Sequence, residues 1–449
     1  MYNILIIIIA KILNLFAKIL GKILKKDNGN LLGKIIRKLS PNILTKFKIN
    51  CPVIAVTATN GKTTTNNAIK HLIEKNGKKV VSNIEGNNME TGIITTLLKN
   101  CTITGKIKAD FITLEVDESY VPVVFNKIPL DSLVILNFFR DQLDRNGEVE
   151  TLILKINEFL KTYNGNLILN NDDPNVARLG KANENNKNIY YFSVDRYKYA
   201  TDSQTEAGEG KFCPFDDTKL EYEYYQYSHI GKFKCPKCGY GDEKIFTKIE
   251  KVDLDNMSFE ENGKCYLTKA NNIYTIYNFA AVISIAKLYN LNAIDALKDF
   301  KLNNGRSEEI EINGVKTIIN LAKNPTGANV SLRMLNEDKD EKELLFVLND
   351  NPADGLDVSW IYDINFDVKG VKRIITSGKR AYDMAIRIKT SCFDKDKIEA
   401  YLSIEDAVKS LYVADTKKYV IANYTALQPT RKALLEYKKE TSNEKRDTK

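Results

Sequence analysis

TATNGKTTTNNA, residues 57–68, is the stretch on which the fold turns. An apolar β-branched run, VIAVT at 53–57, leads into it, and a helix is predicted over 62–76. Strand, tight loop and helix around Gly-Lys-Thr make a cradle for phosphate. Backbone N–H groups and the helix N-terminus face the anion, Lys62 reaches the β and γ oxygens, and the Thr63 hydroxyl ligates Mg²⁺. Thr59, Asn60, Gly61, Lys62, Thr63 and Thr64 are therefore the expected ATP-binding residues. Ala58 stands where glycine commonly opens such a loop. A side chain is tolerated there only with negative φ.

Outward from the loop, FITLEV places Glu115 at the end of one strand, and SLVILNF places Asn137 at the end of another, with Asp141 and Asp144 following. Carboxylates at the C-terminal ends of neighbouring parallel strands converge where such a loop presents its metal. Glu115 and Thr63 are the expected magnesium ligands, with Asn137 beside the nucleotide. Strands KVVSN and NLILN and a helix over 149–163 complete an α/β alternation. A second alternation begins after Asn303-Asn304-Gly305-Arg306 with VKTIINLA, ELLFVLN, RIITSG and KYVIAN. The expected domains are an amphipathic segment over 1–50, a central ATPase domain over 51–300, and a C-terminal α/β domain over 301–437. A disordered tail is expected over 438–449, where KKETSNEKRDTK has little to bury.

Three of the seven cysteines cluster: CPFD at 213–216 and CPKC at 235–238. Their 18-residue spacer is zinc-ribbon spacing, within an insertion over about 205–245. Cys213, Asp216, Cys235 and Cys238 are the expected ligands of a structural zinc, with Asp217 the rival for the fourth place and an empty, degenerate ribbon the alternative. The tyrosine run EYEYYQYSH reads as a hairpin face rather than a base-stacking platform. The remaining cysteines are scattered, which suits a reducing cytoplasm.

The net charge of +8, from 66 basic and 58 acidic residues, is modest and interspersed, so nucleic acid is not an expected partner. MYNILIIIIAKILNLFAKILGKILKK opens the chain without the basic n-region or cleavage site of a signal peptide. Lys11, Lys18, Lys22 and Lys25 fall on one narrow helical sector against a wide apolar flank. That pattern suits the inner membrane interface, with internal packing as its rival and a true span disfavoured by Lys11.

TATNGKTTT, LEVDES, NFFRDQLDR, NGRSEE and NLAKNPTG resemble the motifs of the Mur ligases. The resemblance implies a Mur-ligase-like P-loop central domain carrying the zinc ribbon, then a Rossmann-like C-terminal domain. It also implies Glu115 as a magnesium ligand and Arg306 as a nucleotide contact. Gln142 stands where classical members have a metal-binding histidine, Asn320 replaces an aspartate, and Asn157 lies where their carbamylated lysine should fall. With NIEGNNMETGI, LNDNPADGLDVSWIYD, NYTALQP and the ribbon, these departures look like the branch that supplies the ligase subunit of lipid II isoglutaminyl synthase. That branch implies a GatD-like glutamine amidotransferase subunit in a heterodimer and lipid II as substrate. It further implies ATP-dependent amidation of the stem-peptide D-glutamate through an acyl phosphate, with Lys62 and Glu115 offsetting charge. Asp357 matches the acid that orients the partner's histidine; its rival is Asp354, and a turn or helix cap is its plain reading. A stand-alone amino-acid-adding ligase of the Mur or folylpolyglutamate type is the alternative function.

Overall fold

A computed structural model of the chain describes residues 7–12, 31–83, 87–140, 149–204, 209–270, 272–301, 306–391 and 393–447. They form two compact units: the first lies within residues 1–300, and the second takes 301 onward together with the described residues Phe139, Arg140 and Gln204. In the first, β1 (Val53–Thr57) is an inner strand of a nine-stranded sheet, third from one edge. It pairs in parallel with β3 (Phe111–Glu115) on one side and β4 (Ser132–Ile135) on the other. Outside them run β2 (Val80–Ser82), β5 (Asn166–Asn170), β6 (Ile189–Val194) and β9 (Ile245–Asp253), which extend the parallel pairing. Two antiparallel strands, β10 (Ser258–Glu261) and β11 (Lys264–Leu267), close that edge. Every residue of β1, β3 and β4 is buried. That is why these strands read as unbroken apolar runs: in a parallel sheet both faces are covered.

Helix α1 (Leu31–Leu39) packs Leu32, Gly33 and Ile36 inward. A Cβ at Gly33 would collide with the Thr91 carbonyl on the helix α3 (Glu90–Asn100). Residues 7–12 are helical, and they bury Ile7 and Ala10 in the same core while Ile8, Ile9 and Ile12 remain exposed. Lys11 does not stand free on a solvent-facing stripe: its Nζ donates to the Cys101 carbonyl at 2.6 Å. At these positions internal packing satisfies part of the apolar flank. Lys18, Lys22 and Lys25 lie outside the described residues.

The second unit is a six-stranded sheet ordered β12-β13-β17-β14-β15-β16. The strands are β12 (Arg306–Ile312), β13 (Val315–Leu321), β14 (Lys342–Val347), β15 (Val371–Ser377), β16 (Ile398–Tyr401) and β17 (Lys417–Ala422). All pair in parallel except β12, an antiparallel edge. Charge is paired inside this unit: the fully buried Lys418 meets Glu343 Oε2 at 2.5 Å, and Arg373 bridges Glu343 and Glu399. A helix runs from Tyr424 to Asp447, into the stretch expected as a disordered tail; its lysines and glutamates are good helix formers, and Thr441 bonds Asn313 at 3.0 Å.

Candidate active site

The loop after β1 needs only one glycine. Gly61 carries the left-handed turn, at φ 89°, whereas Ala58 is not among the positive-φ residues and is fully buried. Ala58 contributes its carbonyl, which accepts a bond from Lys62 Nζ at 2.7 Å. Gly61 is also the N-cap of α2 (Lys62–Lys75) and provides no side-chain cap. The positive end of the helix dipole thus faces the loop, where an anion is favoured.

Asn137 clasps this loop rather than projecting from it. Its carboxamide accepts from Asn60 N–H at 2.9 Å and donates to the Asn60 carbonyl at 2.9 Å. Its own carbonyl takes the Thr59 N–H at 3.0 Å. Thr59, Lys62, Thr63 and Thr64 are all buried. Glu115, also buried, sits directly across from Val56 in the sheet. Asn83 holds its backbone at both N–H and C=O, and Asn88 Nδ2 lies 3.4 Å from its carboxylate.

Two residues of this site escaped the sequence reading. Glu118, on a 3₁₀ turn just past β3, places Oε2 3.3 Å from Lys62 Nζ. The signal was present in LEVDES, where a turn after the strand returns the third residue beyond Glu115 towards the loop. Asn278, on α4 (Ile273–Leu288), fills the space beside Gly61, where a Cβ would strike its carboxamide. No sequence signal sets it apart within an almost wholly buried helix. Arg306 opens β12 in the second unit. Asp141, Gln142 and Asp144 lie outside the described residues.

The four expected zinc ligands do come together, with their donor atoms within 4.8 Å of one another. Cys213 N–H bonds the Thr218 carbonyl, and Asp217, left-handed at φ 58°, returns its N–H to Cys213. Cys235 N–H bonds the Tyr240 carbonyl, and Gly239, left-handed at φ 76°, returns its N–H to Cys235. The two knuckles are thus conformational copies offset by 22 residues of sequence. Asp216 takes the place of Cys238, and Asp217 that of Gly239. The ligand place therefore falls to Asp216, and Asp217 takes the turn. The donors suit zinc: three thiols and one carboxylate, closed on themselves. Burial pushes the Cys213 thiol up to about 12. At Cys235 burial is outweighed by the N–H groups of Cys238 and Lys237, and the thiol is drawn down.

In the second unit the rival acids part company. Asp354 is buried, accepting from Thr425 N–H at 2.8 Å, from the Thr425 hydroxyl, and from Asn351 N–H at 3.2 Å. Asp357 is exposed and accepts the Ser359 N–H at 2.8 Å. Hydrogen bonds from the Ser359 backbone and hydroxyl hold its carboxyl below the usual range. Leu356 and Tyr362, nearby in sequence, are more than 60% exposed.

The Mur ligase middle domain pattern matches residues 56–235, and the MurT ligase C-terminal pattern matches 321–427. The lipid II isoglutaminyl synthase (glutamine-hydrolyzing) subunit MurT of Staphylococcus aureus is 32% identical over 84% of this chain and 86% of its own. Its Streptococcus pneumoniae counterpart is 30% identical over 86% of this chain and 87% of its own. A solved pseudomurein peptide ligase type C from Methanothermus fervidus shares the fold, with TM-score 0.69 and 21% identity over 88% of this chain and 81% of that one.

Proposed function

Because this chain belongs to the MurT family of Mur-ligase-like subunits, we propose that it amidates the α-carboxylate of D-glutamate in the lipid II stem peptide, in cell wall peptidoglycan synthesis. A carboxylate oxygen attacks the γ-phosphorus of ATP, ADP leaves, and an acyl phosphate results. Ammonia then attacks the acyl carbon, phosphate departs, and the amide remains after loss of a proton. The observation that carries the reading is Lys62, buried between the Ala58 carbonyl and Glu118 at the mouth of an uncapped helix. A buried, preplaced cation at that point offsets charge on the transferring phosphoryl group. Thr63 and Glu115 would hold Mg²⁺, whose chemistry is to neutralise phosphate oxygens. Asn137 keeps the loop in shape, and Arg306 is assigned to the nucleotide by its motif. Zinc on Cys213, Asp216, Cys235 and Cys238 is structural.

Ammonia comes from a GatD-like amidotransferase partner. Hydrolysis of glutamine needs a cysteine activated by an oriented histidine, and both histidines of this chain have other roles. His71 packs on Phe300, and His229 is buried against Asp173. Asp357 is exposed and held ionised, which suits an acid that orients a histidine from another chain. The N-terminal segment associates the chain with the inner face of the membrane, where lipid II resides. Among the described residues no helix is long and apolar enough to cross a membrane.

The test is reconstitution of the full chain with a GatD-type subunit, lipid II and ATP, given either glutamine or ammonium. Amidated stem peptide and ADP are expected from both nitrogen sources. If the chain alone joins an amino acid to a muropeptide precursor, the stand-alone ligase replaces this reading.

A further inference from the structure

Asp172 and Asp173, in NNDDP at the end of β5, are buried acids with no part in the chemistry above. Asp173 caps the short helix that follows, accepting Asn175 N–H on Oδ1 at 2.8 Å. A cap explains one oxygen only. Its Oδ2 accepts the N–H of Phe138 at 2.9 Å, next to Asn137, the residue that clasps Asn60. On the other side, His229 Nε2 approaches Oδ1 to 3.4 Å, with both side chains essentially inaccessible to water. His229 belongs to the turn between β7 (Glu221–Tyr227) and β8 (Ile230–Lys234), the hairpin that carries the ribbon's knuckles.

Asp172 repeats the connection by a second route. Its backbone carbonyl receives Gly231 N–H from the same hairpin at 2.9 Å. Its carboxylate accepts the Tyr277 hydroxyl at 2.7 Å, and Tyr277 precedes Asn278, which fills the space beside Gly61. Asn171 adds a bond to the Gly241 carbonyl, beyond the second knuckle, at 3.1 Å. Three consecutive residues thus touch the insertion, Asn171 and Asp173 by side chain and Asp172 by backbone, and the carboxylates of the two aspartates also reach residues flanking the nucleotide loop.

We infer that Asp172 and Asp173 are positioning residues that couple the ribbon hairpin to the nucleotide loop, so that the insertion sets the affinity for ATP without touching it. The inference rests on the loop's binding ATP, as proposed above. It gives the insertion a role in the ligase site besides stability. Buried polar chains of this kind have few alternative arrangements, because each broken link leaves a desolvated donor or acceptor.

The test measures ADP and ATP affinity of the full chain, with His229→Ala, Asn137→Ala and the double variant forming a cycle. Metal content and melting temperature are recorded for each. His229→Ala is expected to weaken nucleotide binding about tenfold with metal content unchanged, and the double variant to lose much less than the product of the two single losses. Where His229→Ala does not fold, His229→Gln, which keeps an N–H group within reach of Asp173, serves in its place; affinity within about twofold of wild type is then expected. Hydrogen exchange at residues 58–64 should quicken in His229→Ala and not in the surface control Val413→Ser, a residue of the second unit that is 79% exposed. Independent, multiplicative losses, or unchanged affinity in His229→Ala, overturn the coupling. A wild-type chain that binds no nucleotide overturns the proposed function itself.

Discussion

The acids of the two units are held in opposite ways. In the first unit Glu115, Asp172 and Asp173 are buried, and their oxygens or flanking backbone are tied to partners within the chain. In the second, Asp354 is tied in the same fashion, but Asp357 stands in solvent with its carboxylate fixed at one end by Ser359. A buried acid whose bonds are filled is committed to the architecture that fills them. An exposed acid that is oriented and kept ionised retains lone pairs for a group from outside. On the proposed function, the difference separates a ligase site held within one chain from a half-site that a second chain completes.

Breaking the complete site should give the largest effect. Lys62→Ala is expected to abolish amidation from either nitrogen source while the assembled complex still hydrolyses glutamine; loss of both activities would show that the two sites are not separate. Asp357→Asn comes next. Glutamine-dependent amidation should fall by roughly 10²–10⁴, because an amide cannot stabilise an imidazolium and favours the wrong tautomer. Ammonium at high pH should restore the product. If ammonium fails as well, Asp357 belongs to the ligase site or the fold.

The ribbon sharpens the contrast, since Asp216 is an acid whose geometry is ready for a metal. Metal analysis should find close to one zinc per chain, falling to none in Cys235→Ser and only in part in Asp216→Ala, with Asp217→Gly unchanged. A stably folded wild type free of metal would remove Asp216 from the comparison. The smallest effect concerns Asp172. Burial pushes its carboxyl up to about 7, although the Tyr277 hydroxyl and Val194 N–H pull the other way; Asp195 adds to the rise and Lys232 opposes it. The folded state then holds a proton that the unfolded chain releases near pH 4. Its contribution makes stability decline as pH rises from about 4 to about 7, and level off above that. In Asp172→Asn that part of the decline should vanish from melting temperatures measured across the range.

Much of this was legible in the sequence because parallel sheets write themselves as apolar runs. VIAVT, FITLEV and SLVILNF gave up both their strands and the residues at their ends. The sheet's far edge was less visible. IYYFSV at 189–194 and the strands after the ribbon are broken by tyrosine and lysine, and their pairing depends on the insertion's leaving and rejoining the sheet. The choice between Asp216 and Asp217 rested on the sign of a backbone angle, which spacing cannot encode. Glu118 and Asn278 were missed for a related reason. A turn returns one of them to the loop and a helix brings the other from about 215 residues away, so neither belongs to the motif it serves.

Ala58 carries a thermodynamic consequence. Glycine there would leave the unfolded chain a wider range of backbone states, and an L-residue in a compatible conformation contributes roughly 0.4–1 kcal/mol to folding by removing that freedom. The gain needs no new contact and leaves every group of the loop where it is. The signature would lie in unfolding: Ala58→Gly should lower stability by about that amount through the entropy of the denatured chain.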